Sequence, residues 1–305
     1  MFSRAGFIGN EKKKRTKGKG DSELYEAITA AIPNSGLGMR LTAFFGNTDS
    51  KGNFIRSLIH INGKDIKFVD AEKGSKKAVF DVIAVTLDKK NEVIDEFNRT
   101  HTVQIDSRAI PIIEENGLVY TTDVEVKKAG TYNFRVAIRD VNSSFIGSAV
   151  QVVKVPKLKT GKLYVSGLTL SGVDRSGKFS APSSVPVGKA LSLIRSTDIP
   201  AIRSFTGGKV LAYSYQIFGA KLDKDTKKPK IGLIASVYKD GELVSNGKPE
   251  VVELLPQDDW TRTNAHGYLR LPPNAEPGDY ALQITVRDLL TRRTSVGWVD
   301  FEVVN

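Results

Sequence analysis

Alternation of apolar and polar positions is the strongest regularity in this chain. Tyr132, Phe134, Val136 and Ile138 fall on one side of a two-residue period, with Thr131, Asn133, Arg135 and Arg139 on the other. Tyr280, Leu282, Ile284 and Val286 stand in the same way against Asp279, Gln283, Thr285 and Arg287. Side chains of an extended chain point alternately to opposite faces, so each run predicts a half-buried strand. Short runs rich in β-branched and aromatic residues recur between turn clusters. These clusters include Ser50-Lys51-Gly52-Asn53, Asn62-Gly63, Asp88–Asn91 and Lys239-Asp240-Gly241. That spacing is the pattern of a sandwich or barrel. Helical signal is confined to the start. Asp21 or Ser22 can cap a helix through Leu24, Ala27, Ile28 and Ala31, which Pro33, Asn34 and Gly36 end.

The two alternating strands also belong to a repeat. Gly130-Thr131-Tyr132, running to Arg139-Asp140, matches Gly278-Asp279-Tyr280, running to Arg287-Asp288, at an offset of 148. Gly147 with Val150, Val152 and Val155 resembles Gly297 with Val299, Phe301 and Val303. Upstream, Val82, Ile83, Val85 and Leu87 resemble Gly232, Leu233, Ala235 and Val237 at an offset of 150. The expected architecture is all-β: two tandem immunoglobulin- or fibronectin-like β-sandwiches behind a short basic, partly helical N-terminal segment. The boundaries expected are 1–37 for that segment, 38–158 for the first sandwich and 159–305 for the second. Tyr132 and Tyr280 are read as tyrosine corners, each hydroxyl bonding the backbone of the preceding corner. Gly130 and Gly278 supply the turn, and Arg139, Asp140, Arg287 and Asp288 close the strands and satisfy loop backbone.

Composition sharpens this picture by exclusion. The 305 residues are long enough for two domains, and 40% hydrophobic against 26% charged is a globular balance. Cysteine is absent, which excludes disulfides, thiolate zinc sites and a cysteine nucleophile. The net charge is +11, and Lys12, Lys13, Lys14, Arg15, Lys17 and Lys19 carry more than half of that excess in eight positions. The run has no aromatic partners and reads as a solvated linker. Attachment to nucleic acid or an anionic surface is the alternative it leaves open.

Chemistry-bearing motifs are missing. His60, His101 and His266 stand far apart and form no H-E-x-x-H. There is no G-x-S-x-G elbow and no G-x-x-x-x-G-K-S/T loop. Asp223-Lys224-Asp225 lacks the glycine and distal glutamate of an EF-hand and runs into Lys227, Lys228 and Lys230. No enzyme activity, cofactor or metal is expected. The two tryptophans are the remaining candidates. Trp298 is read as buried in a core strand, and Trp260, in a loop, as a loop anchor over the core or else a contact residue for protein or polysaccharide. No apolar run of signal-peptide type follows Met1, and no stretch is long enough to span a membrane.

Several segments resemble the C-terminal region of VWFA-related proteins of the acidobacterial type. They are Ser3–Gly9, Glu23–Ala31, Leu41–Phe45, Lys128–Asp140, Gly147–Ala149, Ala201–Phe205 and Asp300–Val303. The von Willebrand A domain of that family has no counterpart in this chain. Asp174-Arg175-Ser176 begins like its ion motif but has Lys178 where a serine belongs. The resemblance implies an extracytoplasmic setting and a non-catalytic structural or protein-interaction role. Its partner would be another protein or a cell-surface component.

Overall fold

The computed structural model describes residues 19–159, 161–173 and 200–305. Contacts divide them into two compact units. The first takes in the chain up to Ala43 and Phe54–Val155. The second takes in Phe44–Asn53 and most of the chain from Pro156 to Asn305. Helix α1 (Lys19–Thr29) belongs to the first; β1 (Met39–Thr48) starts there and ends in the second, β2 (Gly52–Ile61) starts in the second and returns, and β3 (Val69–Asp70), β4 (Ser75–Leu87) and β5 (Val93–Asp106) follow in the first. A short helix α2 (Ile110–Asn116) then leads into β6 (Leu118–Glu125), β7 (Gly130–Asp140) and β8 (Ile146–Val155). One sheet has the order β1-β2-β6, and the other β3-β4-β7-β8 with β5 beside β4.

The second unit contains β9 (Tyr164–Val165), β10 (Thr169–Gly172), β11 (Ser204–Thr206), β12 (Val210–Phe218) and β13 (Ile231–Lys239). After these come β14 (Glu242–Asn246), β15 (Glu250–Val251), β16 (Arg262–Arg270), β17 (Gly278–Asp288) and β18 (Thr294–Val304). Its sheets run β10-β12-β16 with β9, and β11-β18-β17-β13-β14 with β15. The fold is all-β, two immunoglobulin/fibronectin-like sandwiches behind a short helix. In the second unit Leu170, Leu211, Tyr213 and Ile217 of one sheet pack with Leu233, Leu282, Ile284, Val299 and Phe301 of the other. The alternating runs of β7 and β17 send those apolar positions inward, as the two-residue period requires.

Strand register sharpens the repeat. Gly130 pairs with Val155 and Gly278 with Val303; Arg139 pairs with Ile146 and Arg287 with Thr294. The offset of 148 therefore holds across both hairpins. Two of the sequence equivalences shift. Val82 opposes Ile138 and Leu233 opposes Val286, so β4 and β13 correspond at an offset of 151, one more than expected. Gly147 opposes Ile138, and the residue opposing Val286 is Ser295, not Gly297. A slip of one residue exchanges the two faces of a strand, and apolar residues on both faces of β4 hide it from sequence.

Other local expectations meet specific geometry. The β13–β14 hairpin turns through Asp240 and Gly241, both at positive φ (51° and 84°), as a primed two-residue turn demands. Asn62 caps a 3₁₀ turn at Gly63–Asp65, its side chain accepting from the Lys64 amide. His266-Gly267 lies inside β16, where Gly267 leaves room for the Tyr213 ring. The helix spans Lys19–Thr29, so Ala30 and Ala31 fall outside it.

Candidate functional site

The two β7-like hairpins carry the same devices at the same offset. Tyr132 Oη donates to the Lys128 carbonyl at 2.5 Å, and Tyr280 Oη to the Glu276 carbonyl at 2.8 Å. Desolvation and the Asp88 charge push the Tyr132 phenol up. Asp140 and Asp288 are both completely buried at the end of their strand. Asp140 accepts from the amides of Lys67 and Asn142 and from Ser143 Oγ. Asp288 accepts from the amides of Lys221, Leu290 and Thr291, from Thr291 Oγ1 and from Arg293 Nη2. Ser144 and Arg292, again 148 apart, take φ of 62° and 63° to close the loops. These residues hold loops rather than ligands.

The paired glycines are not equivalent. Gly278 sits at φ +145°, a backbone that L side chains rarely adopt, whereas Gly130 is not at positive φ and a Cβ there meets the Tyr132 ring at 3.4 Å. Gly278→Ala is expected to cost about 1–3 kcal/mol and Gly130→Ala less than about 0.5 kcal/mol, measured by urea unfolding.

The faces turned away from the cores differ more. In the first unit α1 lies across β4 and β7. Leu24, Ala27 and Ile28 pack with Ile83, Val85 and Ala137. Polar contacts fix the helix from both ends. Arg139 reaches Glu23 at 3.8 Å and Asp81 at 2.5 Å, and Arg135 Nη1 donates to the Ile28 carbonyl at 2.9 Å. A cation at a helix C-terminus meets its exposed carbonyls and the negative end of its dipole.

In the second unit the register-equivalent face carries Ile234 for Ile83, Tyr238 for Leu87, Gln283 for Arg135 and Trp298 for Val150. No described element covers it. Trp298 is 62% exposed; Val296 on the same strand, Leu243 on β14, Val251 on β15 and Leu289 are exposed as well. Trp298 was expected in the core and lies outside it. Val299, Phe301 and Val303 take the inward positions of β18, and the two-residue period sends Trp298 to the opposite face beside Gln283. Charge is divided along this face. Arg287 stands exposed at one end, opposite Thr294, and Asp279 and Asp300 stand at the other. Desolvation pushes the Asp300 carboxyl up, Arg203 opposes that, and the Asp279 charge adds to it.

Trp260 is half-buried in the loop before β16. Lys228 Nζ stands 5.4 Å from its ring centroid, over the ring, and its carbonyl accepts from Thr263 Oγ1. A ring covered by its own lysine is a poorer stacking platform than the open indole of Trp298. Lys12, Lys13, Lys14, Arg15 and Lys17 lie outside the described residues, as do Asp174, Ser176 and Lys178; Lys19 opens α1. Among the described residues no three metal-ligating side chains converge, and no helix is long and apolar enough to cross a membrane. Asp223 is tied to Lys230 at 2.8 Å and accepts from the Asp225 and Thr226 amides, so it closes its own turn.

No protein-family model matches the sequence, and no curated protein matches it. Among solved structures, a Bacteroides uniformis β-glucuronidase is 10% identical with a TM-score of 0.28, over 81% of this chain and 26% of that one. The chain therefore spans about a quarter of that enzyme. The C-terminal domain of the Streptococcus pyogenes antigen I/II-family protein AspA is 9% identical, TM-score 0.21, covering 88% of this chain and 99% of that domain. Fibronectin(III)-like modules of Clostridium thermocellum CbhA are 11% identical, TM-score 0.17, over 82% and 84%. At these scores the functional reading stands on the chain's own geometry.

Proposed function

We propose that this chain is a non-catalytic interaction module of an exported or cell-surface bacterial protein. We place its contact surface on the outer face of β13, β17 and β18. The observation that carries this is the unequal treatment of two equivalent faces: one is covered by α1, and on the other no described element covers Trp298, which stands exposed on β18. Exposed apolar surface of this kind, carrying an open indole, is characteristic of protein contact sites. The occupant proposed is an amphipathic helix of a partner protein, because that is what the equivalent face accepts in the first unit. Charge layout fits it. Arg287 corresponds to Arg139, which receives the N-terminal Glu23 of α1, and Asp279 with Asp300 would receive a basic C-terminal turn. The exported setting rests on the resemblance to VWFA-related proteins.

Trp260→Phe leaves Trp298 as the single indole and so converts the face into its own reporter. Its emission is expected to shift to the blue on titration with the solubilised envelope fraction of the source cell, with saturable binding on a sensor surface. Trp298→Ser should abolish that binding, while the Trp260→Phe protein keeps it. Equal binding by the Trp298→Ser protein would place the contact elsewhere. Hydrolytic turnover abolished by one substitution would overturn the non-catalytic reading.

A further inference from the structure

A second feature of the second unit is independent of the open sheet face. A cleft of about 650 Å³ opens where β9, Asn47 of β1, the end of β12 and the turns before β16 and β18 come together. That volume is in the range of small-ligand sites. Lys159, Lys162, Lys221, Arg262 and Arg293 line it, with Tyr164, and among the described residues no carboxylate does. The two guanidinium groups are already committed. Arg262 pairs with Asp259 at 2.6 Å, and Arg293 pairs with Asp288 at 3.0 Å and donates to the Gly219 carbonyl at 3.2 Å. Arg293 nevertheless keeps its other terminal nitrogen, Nη1, buried without a hydrogen-bond partner. The three lysines are exposed, and Lys159 and Lys162 are joined by a tight turn, the Lys162 amide donating to the Lys159 carbonyl at 3.2 Å.

The cleft is built rather than accidental. Gly219 adopts φ +73°, and a Cβ there would stand 2.1 Å from the Lys162 carbonyl oxygen. Only glycine lets the two backbones approach so closely. The same Asp288 that closes the β17–β18 loop accepts from the Lys221 amide and the Arg293 guanidinium, so the backbone that carries Lys221 is held beside Arg293.

We infer that this cleft binds a small ligand carrying at least two oxyanion groups. Three cations without a lining carboxylate favour multiple negative charge. The partly exposed Tyr164 gives the ligand's carbon frame something to lie against. Phosphate esters and acidic sugars share this chemistry, and the probes separate them.

The full chain, labelled with ¹⁵N, is titrated with inorganic pyrophosphate, with a disulfated disaccharide, and with the unsulfated disaccharide. Saturable shifts at Tyr164, Gly219 and Lys221 are expected with at least one of the two anions and not with the neutral sugar. Affinity should fall as salt rises. Lys162→Gln with Lys221→Gln should weaken binding by about tenfold or more. Lys127→Gln with Lys128→Gln, on the other unit, should leave it unchanged. Pyrophosphate alone binding would assign a phosphate ligand, and the disulfated sugar alone an acidic carbohydrate. The inference is overturned if neither anion binds, if the shifts map elsewhere, or if both double variants behave alike.

Discussion

Asp288→Ala should lose about 3–5 kcal/mol of stability in the second unit, enough to threaten a domain whose total is about 5–15 kcal/mol. The carboxylate is fully buried and accepts five hydrogen bonds from three backbone amides, one hydroxyl and one guanidinium. Alanine leaves each donor without an acceptor in a site from which water is excluded, and each orphan costs desolvation that nothing returns. It also strands the Arg293 charge, only 27% exposed, beside a missing partner. Asp140→Ala removes the corresponding carboxylate in the first unit, but no guanidinium is abandoned there. It should cost less, about 2–3 kcal/mol. Both tryptophans belong to the second unit, so their fluorescence reads its unfolding while circular dichroism reads both units.

Acid titration adds a signed check. Burial alone would raise the Asp288 carboxyl, but Thr291, the Lys221 and Leu290 amides and Arg293 hold it below its usual value. A depressed folded pKa contributes stability that is complete above the unfolded value of about 3.9. That contribution is lost as pH falls through the folded value. The gap between wild type and Asp288→Asn should therefore be full at neutral pH and narrow below about pH 4. A cost of less than about 1 kcal/mol for Asp288→Ala, the worth of one ordinary hydrogen bond, would show that the loop closes without its carboxylate.

What could be read from the sequence followed from local periodicity. β7 and β17 announced themselves because Tyr132 to Ile138 and Tyr280 to Val286 alternate without a break, and one face of each meets a core. Turns such as Asp240-Gly241 were legible because a positive φ restricts residue type. The failures are all cases in which a second face or a distant segment decides. β4 is apolar on both faces because α1 covers the outer one, and so its register to β13 slipped by one. Trp298 is read as core because its strand is a core strand, but the two-residue parity of β18 turns it outward. The basic cleft joins residues up to 246 positions apart, from Asn47 to Arg293, and no local pattern brings them together. The exposed face was hidden for a related reason: it is defined by the absence of a cover among the described residues, and only the covered equivalent in the first unit makes that visible.

Gly63→Ala should be the most damaging single-methyl addition in the first unit, at about 3 kcal/mol or more. Gly63 is buried and opens the turn after β2. A Cβ built on it lies 1.7 Å from the Ile113 carbonyl oxygen and 2.9 Å from the Glu114 Cα, both backbone atoms of α2. Backbone cannot swing aside as a side chain does. Either α2 moves or the turn does. The Ile113 carbonyl is already in use, accepting the Gly117 amide at 2.6 Å to end α2. Gly117 in turn holds φ +73° so that the chain can enter β6 beside His60. Displacing that carbonyl breaks the helix stop and pulls on Leu118, the partner of Ile61 in the β2–β6 ladder. Gly52→Ala is the control. Gly52 also sits at positive φ, 66°, but nothing lies within 4 Å of its Cβ position, so only conformational strain of about 1–2 kcal/mol is expected. Thermal unfolding followed by far-ultraviolet circular dichroism should separate the two. The Gly63→Ala protein should lose its first-unit transition first, and the tryptophan signal of the second unit should remain. If Gly63→Ala cost no more than Gly52→Ala, the close approach of the turn to α2 would not exist in solution.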